Sequence, residues 1–268
     1  MQLISSMVRP GAGNPARGPP RSIWLQDIRP VLMRRQVVPC ASDIRQSAAS
    51  ILEESGMPGW SRRARALPPG LIPDMRALIL NGALAGDEGL RPIEEALGSA
   101  LSAQGCAVER IRLRDVFIAY CKGCFDCWVK TPGVCATKDG AGPITRAMAR
   151  SDLIVLLSPI TFGGYSSELK KVLDRSIGIV SPFFTRLHGE VHHKPRYARY
   201  PALLAIGVTE DRDPAEAQIF ARLVDRNAIN YHAPAHVAAI VSRDDSPGQI
   251  RTAIGRAVAQ LLVQGDAA

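Results

Sequence analysis

Five consecutive apolar residues, Leu153-Ile154-Val155-Leu156-Leu157, set the fold class of this chain. A strand with one face in water alternates apolar and polar residues, whereas an unbroken apolar run is typical of a strand buried on both faces. A sheet built from such strands needs cover on both sides, which helices between parallel strands provide. This segment therefore predicts an α/β protein.

From Met75 onward, predicted strands alternate with predicted helices. This pattern, with ligand-binding loops expected at one edge, favours a flavodoxin-like, doubly wound, five-stranded parallel sheet in the order 2-1-3-4-5, spanning residues 75–268. The predicted strands are residues 77–80, 108–113, 153–157, 202–208 and 236–241, and the predicted helices are residues 92–105, 144–149, 168–177, 215–229 and 247–263.

Residues 1–74 follow a different pattern. They contain ten Arg, no Lys and five acidic residues, so five of the eight net positive charges lie in this segment. Clusters of Pro and Gly interrupt both of its ends and leave room for one short helix near residues 44–54. We expect a poorly structured N-terminal extension, either disordered or upstream of a mis-assigned start.

The apolar run lengths and the charge of the chain argue against two classes of partner, membranes and nucleic acids. No apolar run exceeds five residues or so in length, which predicts no membrane span, and the basic excess beyond residue 74 is too small to predict nucleic-acid binding. The apolar stretch near the start is interrupted by Ser5 and Ser6, so we expect no export signal and a cytoplasmic location.

Two loops at the predicted carboxyl edge of the sheet are candidates for ligand binding. The first, from Asn81 through Gly82 and Ala83 to Gly89, is rich in glycine and leads into a helix, where backbone N–H groups and the helix dipole can hold a phosphate. An ordinary flexible loop is the alternative. No Gly-Lys-Ser/Thr signature follows, which argues against a nucleotide triphosphatase.

The second candidate loop follows the third strand. Pro and paired Gly residues favour a backbone that can approach a flat ring, and two aromatic side chains are expected to be exposed there. A turn followed by a helix cap would explain much of the same pattern. The loop comprises Ser158, Pro159, Ile160, Thr161, Phe162, Gly163, Gly164 and Tyr165.

Four cysteines form the sharpest local motif. Cys121, Cys124, Cys127 and Cys135 follow the spacing C-x2-C-x2-C-x7-C. Closely spaced thiols suit a [4Fe–4S] cluster, in which each iron takes one thiolate, and suit tetrahedral zinc less well. Free or redox-active thiols are the third alternative.

The five histidines and the long connection of residues 181–200 are the remaining candidates for a functional role. We interpret His188, His192, His193, His232 and His236 as loop or subunit-contact residues rather than metal ligands. The aromatic-rich stretch of residues 181–200 is long for a compact connection and predicts a lid or an oligomer contact.

Residues 75–268 resemble the flavodoxin-like NAD(P)H-dependent FMN reductase superfamily, in the branch of multimeric flavodoxins and iron-sulfur flavoproteins. The resemblance rests on Cys121 through Gly133, on Ser158 through Arg175 and on Gly189 through Tyr197. It implies FMN with its phosphate at the first loop and its ring against Pro159 to Gly164. Ala83 and Thr161 depart from the Ser and Tyr that are usual in relatives.

The resemblance also implies an activity. NAD(P)H would reduce FMN, and a small acceptor such as a quinone or nitroaromatic would then be reduced, with no side chain needed as acid or base. We expect a homodimer or homotetramer. The alternatives are an electron-transfer module that acts with a protein partner and a scaffold without flavin.

Overall fold

The computed structural model describes residues 75–187 and 189–265. The expected helix near residues 44–54 and His188 lie outside the described residues. Among the helices described, none is both long and apolar enough to cross a membrane.

A five-stranded parallel sheet forms the centre of the structure. Its order is β2-β1-β3-β6-β7, which matches the predicted order once the strands of the sheet are counted alone. The prediction of a flavodoxin-like α/β fold is therefore confirmed. The strands are β1 (Arg76–Asn81), β2 (Ala107–Arg112), β3 (Leu153–Pro159), β6 (Ala202–Thr209) and β7 (His236–Ser242).

Helices cover both faces of this sheet, as the continuous apolar strands require. Val155 of β3 packs in the cluster that α1 and α6 cover, whereas its neighbours Ile154 and Leu156 pack in the cluster beneath α3, α4 and α5. All seven residues of β3 are buried. The helices are α1 (Arg91–Ala103), α2 (Asp126–Val129), α3 (Ala141–Arg150), α4 (Ser167–Arg175), α5 (Pro214–Asn230) and α6 (Pro247–Gly265).

A separate antiparallel hairpin occupies the stretch expected to be a lid or an oligomer contact. It consists of β4 (Val180–Leu187) and β5 (Glu190–Pro195), and its turn contains Gly189 at a φ of 83°. His192 and His193 lie on β5, so the interpretation of these two histidines as loop residues was wrong, while their alternative interpretation as subunit-contact residues stays a prediction.

Candidate functional site

The chain changes direction across the sheet between β1 and β3. β2 lies on one side of β1 and β3 on the other. The loops that follow β1 and β3 start side by side at the carboxyl edge of the sheet and lead to helices on opposite faces. A crevice at such a switch point is where doubly wound sheets bind ligands. Both loops selected from the sequence meet at this point.

Hydrogen bonds link these two loops to each other. The hydroxyl of Ser166 donates to the carbonyl oxygen of Gly82 over 2.6 Å, and the Ser158 hydroxyl accepts from the Ser166 N–H over 2.9 Å. A Cβ atom at Gly82 would lie only 2.7 Å from the Ser166 Oγ, so the approach requires glycine. Ser166 also caps α4 by accepting from the N–H of Leu169.

The first loop presents free backbone donors. Asn81 Oδ1 accepts from the Ala83 N–H over 2.9 Å, which turns the chain directly after β1. The following N–H groups of Leu84, Ala85 and Gly86 have no hydrogen-bond partner in the described part of the chain. Gly86 adopts a φ of 78°, and α1 begins shortly after. Adjacent unpartnered N–H groups before a helix N-terminus fit the donor requirement of a phosphate.

Two arginines neutralise the acidic residues of this loop. Asp87 forms a bidentate ion pair with Arg243, with nitrogen–oxygen distances of 2.9 Å and 2.6 Å. Arg114 bonds the Glu88 carboxylate and donates to the Asp87 carbonyl oxygen over 2.7 Å. The hydrogen bond from Arg243 holds the pKa of Asp87 below its ordinary value. The loop therefore carries little net negative charge that would repel an anion.

The second loop makes a tight turn at the same edge. Thr161 and Gly164 exchange backbone hydrogen bonds of 3.0 Å and 2.9 Å. The two central residues, Phe162 and Gly163, have positive φ values of 50° and 72°, as a type I′ turn requires. The Phe162 side chain is fully exposed. A Cβ atom at Gly163 would lie 2.6 Å from Ile219 Cγ2, so packing against α5 also explains this glycine.

The last aromatic residue of the second loop is placed differently than expected. Tyr165 is only 9% exposed and packs edge-on against Phe220, with ring centroids 5.6 Å apart. Its hydroxyl accepts from Asn227 Nδ2 over 3.1 Å. The expectation of two exposed aromatic residues at this edge therefore holds for Phe162 and is wrong for Tyr165. Ser158 is fully buried, and Ile160 is half-buried beside Gly207.

The four motif cysteines lie on one side of the fold, around α2. Cys127 is buried, Cys135 is partly buried, and Cys121 and Cys124 are exposed. Burial raises the pKa of the Cys127 thiol, and the nearby thiols of Cys135, Cys121 and Cys124 raise it further. Within residues 75–187 and 189–265, however, no three His, Cys, Asp or Glu side chains converge closely enough to hold a metal ion.

A buried arginine stands beside these cysteines. Arg175 forms an ion pair with Asp139 at 2.8 Å and 3.0 Å, and the Cys135 sulfur contributes to raising its pKa. Its buried Nε has no hydrogen-bond partner among the described residues. An unused donor next to Cys135 fits an anionic sulfur, and four closely spaced thiols are the donor set of an iron-sulfur cluster. The chemistry of the motif fits such a cluster, although its four thiols do not converge as placed.

Sequence reasoning did not identify three charged residues that shape the candidate site. Arg243 follows β7 directly and Arg114 lies two residues after the end of β2, so their position at the carboxyl edge could have been found from the predicted topology. Glu216 lies in the first turn of α5 and accepts from the Gly163 N–H over 3.3 Å. It stands three residues after the N-cap Asp213, the spacing of a capping box, which was the available signal.

Together, the doubly wound sheet and its joined loops define a flavodoxin-like α/β protein. More specifically, the chain belongs to the NADPH-dependent FMN reductase family, whose model matches residues 75–219. The expected family is confirmed, and with it FMN as the cofactor that the family implies; the family's description also names NADPH.

The curated relatives that match are named iron-sulfur flavoproteins. The chain is 39% identical over 84 residues to an iron-sulfur flavoprotein of Methanocaldococcus jannaschii, a match that covers 31% of this chain and 42% of the relative. It is 28% identical over 87 residues to an iron-sulfur flavoprotein of Methanosarcina thermophila, covering 31% and 44%. The chain thus spans less than half the length of the curated relatives it matches.

Solved structures support the fold. An NAD(P)H:quinone oxidoreductase from Methanothermobacter marburgensis superposes with a TM-score of 0.52 at 12% identity, covering 73% of this chain and all of that one. RosB, solved with a bound intermediate, superposes with a TM-score of 0.50 at 19% identity, covering 72% and 79%. At these identities the similarity establishes the fold alone.

Proposed function

We propose that residues 75–268 form an FMN-binding domain that takes electrons from NAD(P)H and reduces a small acceptor such as a quinone or a nitroaromatic. The observation that carries this proposal is the Gly82–Ser166 bond. It joins a loop with unpartnered N–H groups to a loop with an exposed aromatic turn, at the switch point of a sheet from the FMN reductase family.

The first loop would bind the phosphate. Leu84, Ala85 and Gly86 supply the donors, and Arg114 fixes the backbone of the loop by donating to the carbonyl oxygens of Leu84 and Asp87. Charge neutralisation of Asp87 by Arg243 removes the repulsion that a carboxylate in this loop would otherwise exert on a phosphate.

The second loop would contact the ring, through the segment from Pro159 to Gly164. Phe162 is the side chain of this segment that reaches furthest into solvent, and Glu216 holds the turn by accepting from the Gly163 N–H. Bound FMN supplies the hydride and electron-transfer chemistry, while the chain contributes position and backbone donors.

Steady-state oxidation of NADPH or NADH by the FMN-loaded full chain tests the activity. With menadione as acceptor, rapid consumption of the pyridine nucleotide supports the reductase. FMN that binds but is reduced no faster by NADPH or NADH than free FMN contradicts it.

The second candidate function is that of an electron carrier in which the four motif cysteines hold an iron-sulfur cluster. It is favoured by the spacing of the four cysteines in the sequence, by the unused Nε of Arg175 and by the relatives named iron-sulfur flavoproteins. For a cluster to form, the exposed Cys121 and Cys124 must approach Cys127 and Cys135.

Anaerobic treatment with iron and sulfide separates this candidate from plain thiols. A cluster gives broad absorption at about 400 nm, and Cys124→Ala abolishes this absorption and the bound iron together. Cys106→Ala is the matched control because Cys106 lies in the core beneath α1 and α6. Iron that remains at full stoichiometry in Cys124→Ala contradicts these ligands, and protein that takes up no iron favours redox thiols.

A further inference from the structure

Glu216 lies in the first turn of α5, but its carboxylate does not cap this helix. It stands three residues after the N-cap Asp213, where the side chain of a capping box accepts from the N-cap N–H. Here the Asp213 N–H donates instead to the Asp211 carbonyl oxygen over 2.9 Å. The Asp213 carboxylate caps the helix by accepting from the Ala215 N–H over 2.8 Å. The start of α5 therefore does not depend on Glu216.

The Glu216 carboxylate contacts the second loop of the candidate site instead. Its Oε1 accepts from the Gly163 N–H over 3.3 Å, and its Oε2 lies 3.4 Å from the Thr209 hydroxyl at the end of β6. Gly163 is one of the two central residues of the exposed turn. One side chain thus links the end of β6 to the turn that the proposed function assigns to the flavin ring.

The same face of α5 supports this turn by packing. A Cβ atom at Gly163 would lie 2.6 Å from Ile219 Cγ2, and a Cβ atom at Gly164 would lie 3.8 Å from Leu223 Cδ2. Ile219 and Leu223 follow Glu216 by three and seven residues, so the three side chains share one face of the helix. The carboxylate is therefore held against the side of the turn that faces α5.

The negative charge of Glu216 is not neutralised by a neighbour. Among the described residues it forms no ion pair, while Arg212 is paired with Asp245 and Arg243 with Asp87. The Glu216 residue is half-buried. Solvent and salt screen a partly buried charge less than an exposed one, so this charge acts on a molecule bound at the turn.

We propose that Glu216 is a positioning residue of the ring site and that its charge lowers the reduction potential of bound FMN. The carboxylate orients the Gly163 N–H and holds the turn, and its charge disfavours the negative charge that the ring gains on reduction. This inference rests on the proposed function, because it takes the segment from Pro159 to Gly164 as the ring-binding segment.

A redox titration of the FMN-loaded full chain against a reference dye tests the effect of the charge. The titration is made at mildly alkaline pH, where reduced flavin is anionic. Glu216→Gln keeps an acceptor for the Gly163 N–H but removes the charge. We expect the equilibrium to shift about three- to tenfold toward reduced FMN, and tenfold corresponds to about 30 mV for a two-electron couple.

Glu210→Gln is the matched control for this titration. Glu210 belongs to the same loop after β6, but its side chain is 83% exposed and lies beside Arg243. Its charge is screened by solvent, so the potential of bound FMN should stay unchanged in this variant.

Glu216→Ala tests the positioning role, because it removes the acceptor together with the charge. We expect FMN and riboflavin to bind about three- to tenfold more weakly to Glu216→Ala, since both molecules contain the ring and the turn is no longer held. Glu216→Gln should bind both molecules as the unaltered chain does. Fluorescence titration measures these affinities.

Two results would overturn this inference alone. Equal potentials in the unaltered chain and Glu216→Gln, or an equal shift in Glu210→Gln, would contradict the effect of the charge. Unchanged affinities in Glu216→Ala would contradict the positioning role. Dithionite reduces FMN in the redox titration, so the potential is measured even if NADPH does not reduce the bound flavin. A full chain that binds no FMN would overturn both this inference and the proposed function.

Discussion

The hydroxyl of Ser166 and the carbonyl oxygen of Gly82 lie 2.6 Å apart and join the loops that follow β3 and β1. Since Ser166 also caps α4, one side chain couples a helix start to both sides of the switch point. The proposed phosphate-binding and ring-binding segments therefore share a common support.

Gly82→Ala should separate these loops. The added Cβ would meet Ser166 Oγ at 2.7 Å and Leu169 Cβ at 2.9 Å, so we expect a loss of stability of about 1–3 kcal/mol and weaker FMN binding. Urea unfolding and FMN titration measure the two effects. Gly142→Ala is the control, because a Cβ at this position in α3 meets nothing within 4 Å. Equal stability of the two variants would contradict the close approach at Gly82.

Asp87→Asn should lower stability at neutral pH by about 1 kcal/mol, since the paired contact with Arg243 is lost. The pKa of Asp87 in the folded chain is below its ordinary value of 3.8. The stabilisation is therefore present above that pH and is lost as the pH falls through the lowered folded value.

Urea unfolding at neutral and acid pH measures this dependence. The difference between the unaltered chain and Asp87→Asn should shrink in acid. Glu210→Gln is the control, because Glu210 lies 3.7 Å from the same arginine with its side chain 83% exposed. A difference between the unaltered chain and Asp87→Asn that stays constant with pH would mean that ionised Asp87 does not stabilise the fold.

Phe162→Ala should weaken FMN binding without a loss of stability. The side chain is fully exposed, so its removal leaves the core intact, and any change in affinity reports contact with the flavin. We expect a loss of about three- to tenfold, as for an aromatic contact. Fluorescence titration measures the affinity, with Phe183→Ala, at a 70% exposed position on the hairpin, as the control. Identical affinities would remove Phe162 from the proposed site.

The isolated segment of residues 75–268 should fold and bind FMN. All five strands of the parallel sheet lie within it, and the family match begins at residue 75. Circular dichroism and the unfolding temperature with added FMN measure this, since a ligand of the native state raises that temperature. A segment that does not fold would show that residues 1–74 are needed, and a segment that folds without a shift would contradict the assignment of FMN binding to it.

Much of the fold could be predicted because buried parallel strands read as continuous apolar runs. β3 is the clearest example, and the topology then placed both loops at one edge. The hairpin was not predicted, because the polar and basic residues of β5, such as His192, His193 and Lys194, break the apolar alternation of a strand.

The candidate site was predicted less completely than the fold. Its loops could be named, but the direction of the Tyr165 side chain depends on the two positive φ values at Phe162 and Gly163, which composition does not reveal. The pairing of Asp87 with Arg243 joins residues 156 positions apart and depends on the packing of two loop conformations. Sequence spacing carries no signal for such a contact.

Comparison of FMN with riboflavin tests the proposed site most directly. The two molecules share the ring and differ by the phosphate, so their affinities for the full chain isolate the contribution of the first loop. We expect one FMN per chain, with riboflavin at least about tenfold weaker, because charge-assisted bonds to backbone N–H groups are strong. Gly86→Ala should narrow this difference, whereas Gly189→Ala, which has a similar positive φ and open space, should not. Equal affinity for FMN and riboflavin, or no binding of either, would contradict the assignment of the phosphate to Leu84, Ala85 and Gly86.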